Sequence, residues 1–104
     1  LGMLTSTIEF IVPKANNITI TLDALTVDLN DGRSITVPLA WYPRLINATK
    51  SELDNWRFVG DGLGIHWEDI DEDVSIEGLL LGKPSGESQS SFRKWLLSRA
   101  YQPA

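Results

Sequence analysis

The candidate reactive side chains of this sequence are one histidine and a run of acids that follows it. His66 is the only histidine, and Asp69, Asp71 and Asp73 come after it at alternating positions. An imidazole beside carboxylates can act as a general base, because the acids orient the ring and shift its pKa. The carboxylates could also bind a divalent cation loosely. The competing interpretation is a structural histidine beside a solvated acidic loop, and the sequence favours it over catalysis.

Three better-defined motifs are excluded by the residues around this segment. A calcium loop that began at Asp69 would need glycine at its sixth position and glutamate at its twelfth, where Val74 and Leu80 stand. No Gly-x-Ser-x-Gly sequence marks a serine nucleophile. The glycines at 60, 62 and 64 lack the strand and helix of a dinucleotide-binding unit, so we interpret them as turn residues.

The composition predicts one small globular domain over residues 1–104, with 42% hydrophobic and 22% charged residues. Fourteen acids against nine bases give a net charge of -5, so direct binding of nucleic acid is not expected. The absence of cysteine excludes disulfides and zinc-thiolate sites. Without a long apolar run or a secretory signal, we expect a cytoplasmic protein that has no membrane contact and no cofactor. Leu1 and Gly2 precede Met3 and are expected to be a cloning remnant, with the folded core at about 16–100.

Alternating apolar residues predict a small twisted antiparallel sheet in the N-terminal half. Residues 18–22, 25–29 and 35–39 each alternate with period two, and the Asn-Asp-Gly sequence at 30–32 suits a tight hairpin turn. This pattern indicates a three-stranded meander. A further strand at 7–12 is a weaker expectation.

Two or three short helices and one more strand are expected after the meander. Thr49 and Glu52 have the spacing of a capping box, which predicts a short helix that runs through Trp56. Alternation at 65–67 predicts a single short strand. Ser75 can cap a second short helix, and the acidic segment between these two elements is expected to be a loop.

The C-terminal segment 87–100 is predicted to be an amphipathic helix. Phe92, Trp95, Leu96 and Ala100 recur at helical spacing. We expect this helix to dock on the sheet of its own chain, and the alternative is a detachable arm for a protein partner.

A cluster of residue types that are enriched at protein interfaces precedes the acidic segment. Trp41, Tyr42 and Arg44 are candidate anchors for a partner, since these residue types dominate interface hot spots. Seven acids and no Lys or Arg lie in residues 61–77. We therefore expect a small basic protein as partner, which would meet Glu68, Asp69, Asp71, Glu72 and Asp73.

Short sequence blocks in a fixed order carry a family resemblance. They are Leu25–Leu29, Asp31–Arg33, Val37–Leu45, Ala48–Thr49, Gly64–Trp67, Asp69–Ser75 and Pro84–Gln89. Together they resemble the bacterial family named domain of unknown function two-four-four-two, over about residues 16–99. The chain departs from the family pattern at Leu53, where arginine is usual, and at Glu68, where proline is usual.

The resemblance implies a small α+β domain and supplies no catalytic residues. It also implies a possible two-gene arrangement, because some similar proteins are encoded beside a second small protein in a toxin-antitoxin-like pair. The leading hypothesis is thus a protein-interaction module, and its finer form is the antitoxin-like member of such a pair. The alternatives are a small enzyme or divalent-metal-binding protein that uses His66 and the acidic loop, and a transcriptional autoregulator that acts with a partner. A homo-oligomer is compatible with each of them.

Overall fold

The first sheet is the predicted meander. The structure is a computed structural model that describes residues 11–100. In it β1 (Ala15–Ile20), β2 (Ala24–Leu29) and β3 (Ser34–Pro38) form an antiparallel sheet in the order β1-β2-β3. Gly32 has a φ of 92° in the turn between β2 and β3, a left-handed conformation that glycine adopts without a steric penalty. The alternating apolar pattern is confirmed here.

A second antiparallel sheet follows, with β4 (Trp56–Val59), β5 (Gly64–Trp67) and β6 (Glu72–Ser75) in the order β4-β5-β6. The strand predicted at 65–67 is confirmed as β5, but the two strands that pair with it on either side were not predicted. The acidic segment is not wholly a loop either, since Glu72 and Asp73 belong to β6. The predicted extra strand at 7–12 lies mostly outside the described residues, and residues 11 and 12 are not part of a strand.

In the described part of the chain, five helical segments connect and flank the sheets. They are a 3-10 turn (Leu39–Trp41), α1 (Pro43–Ile46), α2 (Lys50–Asp54), α3 (Ile76–Leu80) and α4 (Gln89–Ala100). Ser75 accepts a hydrogen bond from the Gly78 backbone N–H and caps α3 as expected. Within residues 11–100, no helix has the length and apolar character needed to cross a membrane.

Helix α2 starts with the predicted capping box but ends earlier than predicted. The Thr49 side chain accepts from the Glu52 N–H, and the Glu52 carboxylate accepts from the Thr49 N–H. The helix stops at Asp54, and Trp56 begins β4 instead of ending a helix. There the Trp56 ring meets Phe58 edge to face at 4.9 Å, a contact between residues on the same face of a strand.

One cluster of buried side chains draws residues from both sheets. Its fully enclosed members are Trp67, Leu25, Leu45, Ile65, Ile70, Ile76 and Val27. The sheets are also joined through the backbone, where the Ala15 N–H donates to the Gly62 carbonyl at 2.8 Å. The fold is therefore α+β, with two small sheets that share one hydrophobic core.

No residue of helix α4 is fully buried, and the helix packs against the hydrophobic core through the partly buried Trp95. Trp95 lies between two guanidinium groups, with Arg44 5.2 Å and Arg99 4.5 Å from its ring centre. Arg99 also donates to both carboxylate oxygens of Glu52, at 2.8 and 2.9 Å. These contacts join α4 to α1 and α2, whereas the sequence pattern predicted docking on a sheet. Leu96, which the pattern assigns to the docked face, is exposed.

Glu52 generates a pH-dependent prediction. Hydrogen bonds from Arg99, reinforced by the Thr49 backbone, hold the pKa of this carboxyl at about 2 instead of the ordinary 4.5. Because the pKa is lower in the folded chain, the stabilisation is present above pH 4.5 and is lost as the pH falls towards 2. We expect Glu52→Gln to lower the free energy of unfolding by about 1–3 kcal/mol at pH 7, and by much less at pH 3. Urea denaturation at both pH values measures the difference.

The matched control is Asp54→Asn on the same helix. Asp54 is exposed, and among residues 11–100 its ion-pair partner is Lys50 one turn earlier, so we expect a change below about 0.5 kcal/mol. Equal losses in the two variants would contradict the structural role of Glu52.

Candidate functional site

Most of the predicted site residues lie on one hairpin. We call residues 64–75, which comprise β5, β6 and the turn between them, the acidic hairpin. Glu68, Asp69 and Asp71 are exposed in its turn, and Asp73 is exposed on β6. Asp71 has a φ of 49°, a left-handed conformation that aspartate tolerates better than most residues. The tight connection between the strands thus displays several carboxylates together.

His66 occupies the middle of the outward face of this hairpin. The register pairs it with Asp73, and its Nδ1 lies 2.7 Å from Asp73 Oδ1. Its Nε2 lies 2.8 Å from Glu68 Oε2. The hydrogen bond to Asp73 raises the pKa of His66, the bond to Glu68 adds to this, and burial opposes both. The histidine side chain is only 15% exposed, so the two carboxylates largely enclose it.

The structure brings together His66, Asp71 and Asp73 but leaves Asp69 out. The nitrogen of the first and one carboxylate oxygen of each of the other two lie within 4.8 Å of one another. Asp69 instead accepts a hydrogen bond from the Asn55 side chain at 3.0 Å. The sequence analysis treated the three alternating aspartates as equivalent candidates, because the sequence does not show which of them faces the histidine.

Two residues that were expected to meet a partner point inwards. Glu72 pairs with Trp67 across the sheet and therefore lies on the core face. Its Oε2 is enclosed and accepts no hydrogen bond from residues 11–100, and burial raises the pKa of this carboxyl. Tyr42 is only 4% exposed, and burial, with the nearby Glu72 charge, raises its pKa to about 12. Tyr42 is therefore a core residue, although it was predicted as a surface anchor.

A small cleft lies between β6, the edge strand of the second sheet, and the loop that leads to α4. Its volume is about 290 Å³. Tyr42, Glu72 and Asp73 line it together with Lys83 and Glu87. Sequence reasoning missed Lys83 and Glu87 as site residues, because only the return of the chain after α3 places them there.

Arg44 ties this cleft to the turn of the acidic hairpin. Its Nε and Nη2 donate to the Glu87 carboxylate, at 2.9 and 2.6 Å, and its Nη1 donates to the Ile70 carbonyl at 2.8 Å. The Arg44 side chain is 16% exposed, so its hydrogen-bonding groups are used inside the chain. Trp41, the third predicted anchor, is partly buried, and its carbonyl accepts from the Ser85 N–H. Arg44 thus positions the site and is not free to contact a partner.

The arrangement around His66 suits the binding of a cation better than the activation of a nucleophile. Both ring nitrogens face carboxylates, and across residues 11–100 no hydroxyl group hydrogen bonds to them. A serine or threonine nucleophile would need such a bond. The outward face of the hairpin therefore presents carboxylates that surround one imidazole.

Comparisons with known proteins agree with this picture of the fold. A model of the family described as "Protein of unknown function (DUF2442)" matches residues 15–85. The chain belongs to the DUF2442 family. The match confirms the resemblance in the sequence blocks, and it ends before α4 begins. No curated protein matches the chain.

Two solved structures share the architecture of this DUF2442 protein. A protein of unknown function from Rhodospirillum rubrum is 28% identical, with a TM-score of 0.62, and the alignment covers 75% of this chain and 94% of that one. An uncharacterised protein from Chromobacterium violaceum is 21% identical, with a TM-score of 0.60, and the alignment covers 98% of this chain and 86% of that one. The second likeness concerns the fold alone.

Neutralising the enclosed carboxylate of Glu72 should change the free energy of unfolding in the opposite direction to neutralising Glu52. The pKa of Glu72 is raised in the folded chain, so ionisation of this carboxyl lowers the free energy of unfolding. This destabilisation is absent below the ordinary pKa of 4.5 and grows as the pH rises above it. We expect Glu72→Gln to leave the free energy of unfolding at pH 7 unchanged or to raise it by up to about 1 kcal/mol. Urea denaturation at pH 7 and pH 4 measures this change.

Glu77→Gln is the control for Glu72→Gln. Glu77 is exposed in the first turn of α3, where a negative charge favours the helix, so its neutralisation should lose a few tenths of a kcal/mol. A loss of more than about 1 kcal/mol from Glu72→Gln would contradict the penalty that we assign to this carboxylate.

Proposed function

We propose that this protein is a protein-interaction module whose acidic hairpin binds a small basic protein. The observation that carries the proposal is the local excess of negative charge on one exposed hairpin. In the finer form of the proposal, the chain is the antitoxin-like member of a two-gene pair. This finer form rests on the family resemblance in the sequence.

The excess charge is poorly neutralised within the chain. Residues 61–77 hold seven acids and no Lys or Arg. Among residues 11–100, the Lys and Arg side chains that form ion pairs with this stretch are Lys14, with Asp61, and Arg57, which is 3.6 Å from Glu68. Arg44 and Arg99 are paired with acids elsewhere in the chain. Glu68 also pairs with His66, whereas Asp69 and Asp71 in the hairpin turn are exposed and form no ion pair with a Lys or Arg of residues 11–100, so these two carboxylates are available to another molecule.

Charge of this kind acts mainly on the rate of encounter. Complementary potentials accelerate association and select against partners of the wrong sign, and salt screens both effects. The backbone of the turn and the Asp69 carboxylate are also held in place, because Arg44 donates to the Ile70 carbonyl and Asn55 donates to Asp69. A preorganised surface binds with a smaller loss of side-chain freedom.

The first experiment identifies the partner. The full chain, with an affinity tag other than polyhistidine, is used to capture proteins from its native host at about 50 mM and about 500 mM salt. We expect one small basic protein in stoichiometric amount at the lower salt concentration, and much less at the higher. Recovery of the chain alone at low salt would contradict the proposal.

The second experiment places the partner on the hairpin. With the purified pair, the double variant Glu68→Lys with Asp69→Lys should lower the association rate constant at low salt at least about tenfold. The control, Asp23→Lys with Asp54→Lys, makes the same change in net charge at exposed positions outside the hairpin and should change the rate constant by no more than about twofold. Equal effects of the two variants would show that net charge, and not the hairpin, governs binding.

The antitoxin-like form has its own test. The captured protein should slow the growth of a bacterial host when it is expressed alone, and co-expression of this chain should restore growth. A captured protein that has no effect on growth would contradict the antitoxin-like role and leave the interaction itself standing.

A further inference from the structure

We propose that His66, Asp71 and Asp73 bind a divalent transition-metal ion such as Zn²⁺ or Mn²⁺ on the outward face of the acidic hairpin. The proposal does not depend on a protein partner. It rests on one imidazole and two carboxylates that converge from two strands and their connecting turn.

The ligand atoms already lie close to the separation that a metal ion requires. Two atoms that are each about 2.1 Å from the same ion can be at most about 4.2 Å apart. In the structure the three candidate ligand atoms all lie within 4.8 Å of one another. Asp71 and Asp73 are exposed, so small side-chain rotations can bring their oxygens into range.

The orientation of the imidazole matches that of a metal-binding histidine. The nitrogen that faces Asp73 is Nδ1, and the opposite nitrogen, Nε2, lies 2.8 Å from Glu68. When Nε2 donates its proton to the Glu68 carboxylate, Nδ1 keeps its lone pair for a metal. Histidine ligands commonly use a carboxylate in this way, because it fixes the tautomer and makes the ring a stronger base. Glu68 is thus a positioning residue that is distinct from the three ligands.

The mixture of donors indicates which ions the site would prefer. One imidazole nitrogen favours transition metals over Mg²⁺ and Ca²⁺, which take oxygen ligands almost entirely. Two carboxylates with one imidazole leave coordination positions for water, as in an open three-ligand site. We therefore expect Zn²⁺ to bind more tightly than Mn²⁺, and both more tightly than Mg²⁺.

The decisive experiment observes His66 directly. As it is the only histidine, the full chain without a histidine tag gives one set of imidazole NMR signals. One equivalent of Zn²⁺ at pH 8 should shift the ¹⁵N signal of Nδ1 much more than that of Nε2, and Mn²⁺ should broaden the ring protons. Mg²⁺ should do neither. An unchanged Nδ1 signal with Zn²⁺, or a shift confined to Nε2, would overturn the proposal.

Calorimetric titration with Zn²⁺ then tests each ligand. Asp71→Asn and Asp73→Asn should each weaken binding at least about tenfold, and Glu68→Gln should weaken it by about tenfold through the orientation of the ring. Asp69→Asn is the matched control, because this neighbouring acid faces Asn55 instead, and it should change the affinity by less than about twofold. If Asp69→Asn weakened binding as much as Asp71→Asn, the ion would be attracted only by the general charge of the hairpin.

The variant His66→Gln tests the contribution of the imidazole to metal selectivity. It should abolish the preference for Zn²⁺ over Mg²⁺, since only oxygen ligands and an amide would remain. Circular dichroism checks that this variant folds. The NMR result on the unmodified chain decides the question in either case, and it is obtained without any protein partner, so its failure would leave the proposed interaction untouched.

Discussion

The guanidinium of Arg44 is the group on which the arrangement of the site depends. It forms a two-pronged contact with Glu87, donates to the Ile70 carbonyl, and lies over the ring of Trp95. A guanidinium can do this because its donors point in fixed directions within one plane, which also stacks on aromatic rings. One side chain on α1 therefore joins the turn of the acidic hairpin, the loop before α4 and α4 itself.

The two faces of the hairpin have different electrostatic environments. On the inward face, Glu72 is half-buried with its Oε2 enclosed, and burial raises its pKa. On the outward face, the carboxylates of Glu68 and Asp73 stay exposed and flank His66. Alternation along a strand places neighbouring acids on opposite faces, so that Glu72 lies on the core face with Trp67 and Asp73 lies on the outward face with His66. A cationic partner and a metal ion would therefore meet the outward face.

Features of the fold that depend on residues close together in the sequence were predictable, whereas contacts between residues far apart in the sequence were not. The meander was predictable from period-two alternation, and the start of α2 from the Thr49 and Glu52 pair, because both signals are local. Strand β6 was not predictable, since its Glu-Asp-Val-Ser sequence resembles a solvated loop until β5 pairs with it. Nor could the inward side of Glu72 be predicted, because the register decides it. The contact of Arg44 with Glu87 spans 43 residues, and only the tertiary fold brings those two together.

The most direct test of this account compares amide hydrogen exchange in the native chain and in Arg44→Lys, which keeps the charge but loses the planar fork of donors. We predict that amide exchange in β6 and in α4 becomes at least about tenfold faster in the variant, while β1 and β2 keep their protection. The reason is that losing hydrogen bonds to a charged group weakens a structure by about 1.5–3 kcal/mol. Unchanged protection of β6, or faster exchange spread evenly over both sheets, would contradict the view that Arg44 fixes the hairpin and α4 together.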